Sequence, residues 1–197
     1  HQMSSSPMPP GERIPGTVGK ATGVQVAIMD MEAKGDLQKA NGIGEIVIKG
    51  DNVMHGYNNN PEANAEAFVD GWFRTGDQGF LSDAGYLTLT GRIKELINRG
   101  GEKISPLEID GILLKHPAVS EAVCFAVPDE KYGEVVHAAV VLKGDADQDS
   151  IRSHCSELMA DFKVPDVVYI ADELPRTATG KIQRRHMVAA FAGDNDT

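Results

Sequence analysis

The 197-residue sequence is short of cysteine, aromatic residues and positive charge, and each shortage narrows the reading. Its two cysteines, Cys124 in the apolar run AVCFAV and Cys155 in an expected helix, read as buried small hydrophobes rather than as a disulfide. That usage points to a reducing, intracellular setting. Six histidines show no metal-ligand spacing, and no Cys–His pair suggests zinc. No apolar run approaches the ~18 residues of a membrane-spanning helix. Lysine and arginine number 19 against 29 acids, a formal charge of -10, which argues against general nucleic-acid binding.

What is present is a chain whose pattern changes midway. Residues 1 to 15 are rich in Pro and Ser and read as a loop. The following stretch is mainly β: GVQVAIM alternates Val24, Val26 and Ile28, GEIVIKG is an apolar strand between glycines, and GFLSDAGYLTLTG is a hairpin turning at Ser82–Gly85. One short helix has Asn60 as N-cap, Pro61 in its first turn and Gly71 past its end. After Arg92 the signals mix. Ser105-Pro106-Leu107-Glu108 is a capping box with Pro117 as a stop, and strands are expected at 122–127 and 135–142. A helix from about Ser150, with Asp149-Ser150 at its cap, a strand VVYIA and a terminal helix after Gly180 complete the pattern. The expected class is α+β: a mainly β, barrel-like part over 1–93 and a small α+β domain over 94–197.

Three segments carry chemistry. GRIKELINRGGEKISPLEID, Gly91 to Asp110, sets Arg92, Lys94, Arg99 and Lys103 around Gly100-Gly101. Cations beside bare backbone, in an acidic chain, suit a phosphate-bearing ligand. Gly100-Gly101 alone reads as a turn, although two residues without Cβ also let a thin ligand run along the backbone. In Arg74-Thr75-Gly76-Asp77 the carboxylate at a glycine turn suits both hydroxyls of a ribose, with a solvated turn aspartate as an equal alternative. Thr177-Ala178-Thr179-Gly180-Lys181 is no P-loop, because Pro175 and Ile182 break the pattern. It reads as a mobile loop presenting one lysine, either to charge developing at phosphorus or only to solvent.

These motifs, with GEIVIKGDNVMHGY, GWFRTGD, FKVP and PRTATGKIQRR, occur in an order that resembles the carboxy-terminal part of acyl-adenylate-forming enzymes, over nearly all of residues 12 to 191. The resemblance implies an AMP-forming acyl-CoA synthetase. ATP and a carboxylate give an acyl-adenylate, a small lid domain swings about a hinge, and the thiol of CoA then attacks. It implies Asp77 and Arg92 as nucleotide-binding residues, Lys94 as the hinge, Gly100 and Gly101 as the lining of the CoA path, and Lys181 as the adenylation lysine.

The family's phosphate loop and its Thr-Glu pair, whose Glu helps hold Mg2+, are absent from this sequence. The resemblance therefore implies a fragment that lacks most of the ATP and acyl pockets, needs the amino-terminal part of the same enzyme as partner, and is inactive alone. NNNPEAN, LINRGGEKISP, DEKYGE and GKIQRR most resemble plant and fungal oxalate–CoA ligases, which would set His1 beside the acyl pocket. The expected compartment is cytoplasmic or peroxisomal. A ligase for an aromatic or fatty acid, or a non-catalytic module that binds nucleotide, CoA or a docking partner, stands as the alternative.

Overall fold

A computed structural model describes residues 3–32 and 35–193. The chain divides into two compact units, one ending at Lys94 and the other beginning at Glu95.

The first unit is almost entirely β. Strands β1 (Ser4–Ser5) and β2 (Lys20–Ala21) form a two-stranded ribbon where a loop was expected. Strands β3 (Gln25–Met29), β4 (Gly44–Lys49), β5 (Phe68–Val69), β6 (Trp72–Leu81) and β7 (Leu87–Arg92) form an antiparallel sheet. Ten-residue β6 organises it: β4 pairs along one edge, while β5 and β7 lie end to end along the other. Ile28, Ile46 and Leu87 are buried together, with Val18, Val26 and Leu81 packed around them. Each such side chain contributes about 1.5–3 kcal/mol on leaving water. The Ser82–Gly85 turn is present, closed by Gly85 N–H donating to the Ser82 carbonyl at 2.8 Å.

Helix α1 (Pro61–Ala67) is capped as expected, Asn60 accepting from Ala63 N–H at 3.1 Å. Gly71 does not follow it. The helix gives way to β5, and Asp70-Gly71, with φ of 50° and 77°, turns β5 back into β6. Two consecutive left-handed residues are what a tight hairpin demands, so glycine there marks a strand turn and not a helix end.

The second unit is an α+β sandwich. Strands β8 (Ile97–Arg99), β9 (Glu102–Ile104), β10 (Val119–Asp129), β11 (Gly133–Leu142) and β12 (Val167–Ala171) form one sheet, with β12 parallel to β11 and the other pairs antiparallel. The apolar runs that make β10 and β11 show no polar alternation because both faces are covered. Ala122, Cys124, Val136, Ala138 and Val140 face one core with helices α2 (Pro106–Leu113) and α3 (Gln148–Leu158). Val123, Phe125 and Ala139 face a second core closed by Leu174 and Met187 of the carboxy-terminal segment. Helix α2 buries Ile109, Ile112 and Leu113, the i, i+3, i+4 stripe of an amphipathic helix.

Two expectations fail here. The cap of α3 is Asp147, which accepts from Ser150 N–H at 2.8 Å; Asp149-Ser150 already lies inside the helix. After Gly180 the described residues form no α-helix but a 3-10 turn at Arg184–His186 and a π turn at Val188–Ala192. The Arg184 side chain is drawn inward to the carbonyl of Cys124, so this segment follows the edge of β10 instead of an independent helical period.

Both thiols are fully buried. Burial, with the Asp110 charge adding to it, pushes Cys124 well above its ordinary pKa, and burial pushes Cys155 up to about 11. A raised pKa leaves little thiolate at pH 8, and only thiolate attacks a disulfide reagent. We expect no reaction with an aromatic disulfide in the native protein at pH 8 and two thiols per chain in urea; rapid native labelling would contradict this packing.

Candidate functional site

The Arg74-Thr75-Gly76-Asp77 segment is a bulge. Glu45 pairs with Gln78 and Val47 with Arg74, so Thr75, Gly76 and Asp77 together oppose Ile46 alone. Gly76 takes φ 73°, open to glycine and costly for other residues, and this absorbs the extra chain. Thr75 Oγ1 donates to the Ile46 carbonyl at 2.7 Å and accepts from Asp77 N–H at 3.1 Å. Beneath it, Glu45 Oε2 accepts from Arg74 Nε at 2.7 Å, and Glu45 Oε1 accepts from Gly76 N–H at 3.0 Å. Glu45 is only 3% exposed, so its charge is tolerated there because Arg74 and the bulge amide satisfy it.

Asp77 lies directly opposite Arg92 on β7, where a second irregularity, at Gln78 and Gly79, shifts the β6–β7 register by one residue. Arg92 Nε lies 2.7 Å from Asp77 Oδ1; Asp77 is mostly buried and Arg92 mostly exposed. Arg92, Lys94, Glu45, Arg74, Thr75 and Tyr57 help line a cavity of about 410 Å3 within this unit. Lys94 sits in a 3-10 turn, Ile93–Glu95, through which the chain leaves the first unit. Asp77 and Arg92 thus face each other across β6 and β7, and Lys94 follows Arg92 by two residues and shares its cavity.

Gly100, Gly101 and Lys181 belong to the second unit. Gly100-Gly101 is the hairpin turn between β8 and β9, with φ of 58° and 99°. No atom lies within 4 Å of where a Gly101 Cβ would stand, so backbone conformation is the local demand for glycine. Arg99 is held between the Phe162 carbonyl, the Asp166 carboxylate and the Tyr132 ring. Lys103 is exposed on β9. Lys181 follows a hydrogen-bonded turn and forms no ion pair among the described residues. His1 lies outside the described residues. Among those residues, no group of three or more His, Cys, Asp or Glu is placed to hold a metal ion.

The motif reading overlooked two arginine networks. Arg184 donates to Asp110 at 2.7 Å, to the Cys124 carbonyl, and to Glu95 at 3.1 Å. Burial lifts the Asp110 carboxyl above its ordinary pKa while Arg184 pulls it down. For Arg184, burial works against the charge and Asp110 outweighs it. The partners thus lean opposite ways, and the ionised pair prevails at neutral pH because a guanidinium does not release its proton. Arg176 pairs with Glu121 and donates to the Gly180 carbonyl at 2.9 Å. The available signal was an arginine three residues after Lys181 and an aspartate beside the buried stripe of α2.

Residues 108–181 match the AMP-binding enzyme C-terminal domain. The chain is 53% identical over 196 residues to a protein of Saccharomyces cerevisiae named Oxalate--CoA ligase, covering 98% of this chain and 36% of that one. It is 53% identical over 194 residues to an Arabidopsis thaliana protein of the same name, covering 97% and 37%. The fold is similar to that of ATP-bound MatB from Rhodopseudomonas palustris, with TM-score 0.87 and 34% identity over 93% of this chain and 37% of MatB. The chain spans little more than a third of the length of the curated relatives it matches.

Replacing Arg74 by Leu strands the buried Glu45 carboxylate. The expected loss is about 3–5 kcal/mol of unfolding free energy, the scale for breaking one side of a buried pair. Trp72, the single tryptophan, begins β6 two residues away and reports the transition in a urea titration; an unchanged midpoint would show Glu45 to be satisfied without Arg74.

Proposed function

The chain belongs to the acyl-adenylate-forming superfamily as a carboxy-terminal part, and from that premise we propose that it completes an ATP-dependent acyl-CoA synthetase. The observation that carries the reading is the Asp77–Arg92 pair, set in register by the β6–β7 pairing and followed two residues later by the crossing between units. In this reading the first unit ends the large amino-terminal domain and the second is its mobile lid.

Asp77 accepts hydrogen bonds from the ribose hydroxyls of ATP, and Arg92, paired to it yet largely exposed, turns its remaining donors to the nucleotide. Attack of a carboxylate on the α-phosphate brings anions together. Lys181, exposed and without an acidic partner among the described residues, supplies the compensating charge. One such contact lowers a barrier by about 2.7–4 kcal/mol, roughly 10²–10³ in rate. Rotation at Lys94 then withdraws that lysine and brings the Gly100-Gly101 turn to the site, where a hairpin tip without side chains lets the pantetheine thiol of CoA pass. The bond formed is a thioester and AMP leaves. We place the Mg2+ that accompanies ATP, and most of the acyl pocket with His1 at its border, toward the amino-terminal part of the enzyme.

The acid is read as oxalate, on the identity to two relatives of that name, and the compartment as cytoplasmic or peroxisomal. No helix among the described residues is long and apolar enough to cross a membrane. The test is a panel of oxalate, malonate, hexanoate and 4-coumarate with ATP and CoA on the full-length protein, read as pyrophosphate release. Oxalate should turn over fastest; a fatty or aryl acid that outpaces it removes the oxalate assignment, and no turnover with any acid removes the ligase reading.

Lys181 and Lys94 should fail in opposite half-reactions. Lys181→Ala is expected to slow adenylate formation by about 10²-fold or more while sparing thiol attack on a supplied acyl-adenylate. Lys94→Pro, by fixing φ at the crossing, should chiefly impair the thiol step. Single-turnover assays of each half-reaction separate the two, and equal loss in both steps for either variant refutes its role.

A further inference from the structure

The segment expected as a mobile loop is a closed turn. Gly180 N–H donates to the Thr177 carbonyl at 2.8 Å, and Thr177 N–H donates to the Lys181 carbonyl at 2.8 Å. Arg176 and Ile182 form an antiparallel bridge across its base. Gly180 takes φ 82°, which aims its peptide plane in a direction other residues resist.

That plane is held at both ends. The Gly180 carbonyl accepts from Arg176 Nη1 at 2.9 Å. On the other side of the same peptide bond, Lys181 N–H donates to Thr177 Oγ1 at 3.1 Å. A peptide unit is rigid, so fixing its carbonyl oxygen and its N–H fixes the orientation of the next Cα. The direction in which the Lys181 side chain leaves the backbone is set thereby. Arg176 is itself fixed, because its Nη2 pairs with the Glu121 carboxylate on β10. Arg176 and Glu121 are both partly exposed, and an exposed ion pair of this kind contributes little to stability.

We propose that Arg176, braced by Glu121, is a positioning residue that aims Lys181 through the Gly180–Lys181 peptide plane. The inference rests on the adenylation role given to Lys181. It assigns Arg176 no contact with substrate: its whole effect passes through the lysine.

The test is a double-mutant cycle on the full-length protein, following acid-dependent ATP–pyrophosphate exchange and, separately, thiol attack on a supplied acyl-adenylate. Arg176→Ala should lower exchange about tenfold or more, on the scale of a small misplacement of a catalytic group, and leave the thiol step within about twofold. Glu121→Gln should fall in the same direction by less. Arg176→Lys, which keeps the charge but not the two-pronged guanidinium, should restore only part of the rate. In a Lys181→Ala background, Arg176→Ala should cost nothing further, because groups that act as one unit are not additive. If Lys181→Ala abolishes exchange while Arg176→Ala leaves it within about twofold of the parent, the positioning role falls and the lysine assignment stands. A tenfold loss that persists in the Lys181→Ala background likewise overturns it, since Arg176 then acts independently. If Lys181→Ala leaves exchange intact, the underlying reading fails and takes this inference with it.

Discussion

The second unit depends on how one strand edge is closed. Strand β10 pairs with β11 on one side only, and an open edge leaves backbone donors and acceptors for any passing strand. At Cys124 that edge is occupied by side chains. The N–H donates to Asp110 Oδ1 at 2.5 Å, and the carbonyl accepts from Arg184. Since Asp110 and Arg184 also pair with each other, they act as a short substitute strand made of one carboxylate and one guanidinium. Helix α2, the edge strand β10 and the segment carrying Lys181 are tied at this point. Arg184 also reaches Glu95, the first residue of the unit.

The same division of labour recurs across the molecule. Arginines are fasteners: Arg74 to Glu45, Arg92 to Asp77, Arg99 to Asp166, Arg176 to Glu121 and Arg184 to Asp110. A planar guanidinium can satisfy a carboxylate and a carbonyl together, which suits this use. Lys94, Lys103 and Lys181 are exposed and form no ion pair among the described residues. In an acidic chain much of the positive charge left for an anionic visitor therefore rests on lysines, with Arg13, Arg185 and the exposed part of Arg92 beside them.

Much of the fold was legible because its strands and caps are local. Val24, Val26 and Ile28 alternate, Asn60 and Ser105 precede proline-started helices, and Ser82–Gly85 turns a hairpin; all these follow from neighbours within four residues. The misreadings share a cause. Gly71 and the stretch after Gly180 carry helix-boundary signals but are governed by partners distant in sequence, the β5–β6 pairing and the Cys124 carbonyl. At the site, Asp77 and Arg92 stood out as motif residues. Glu45 did not: a carboxylate inside an apolar strand gives no sign of the arginine twenty-nine residues on that neutralises it. Arg176 looked like one more cation in a basic run because the acid it meets, Glu121, is fifty-five residues earlier.

The hairpin of β6 and β7 separates what the chain can vary from what it must keep. Leu81, Phe80 and Gly79 pair in step with Leu87, Thr88 and Leu89, and one extra residue, Thr90, then shifts the register so that Gln78 meets Gly91 and Asp77 meets Arg92. A residue gained or lost within either arm would rotate one partner to the far face of the sheet. Asp83 and Ala84 at the tip are exposed and lie beyond the last pair, so added length there changes neither arm. The tip can therefore take added length, whereas the arms tolerate substitution but not a change in residue count. The number of residues from the aspartate to the hairpin tip is fixed by geometry, whatever amino acids lie between.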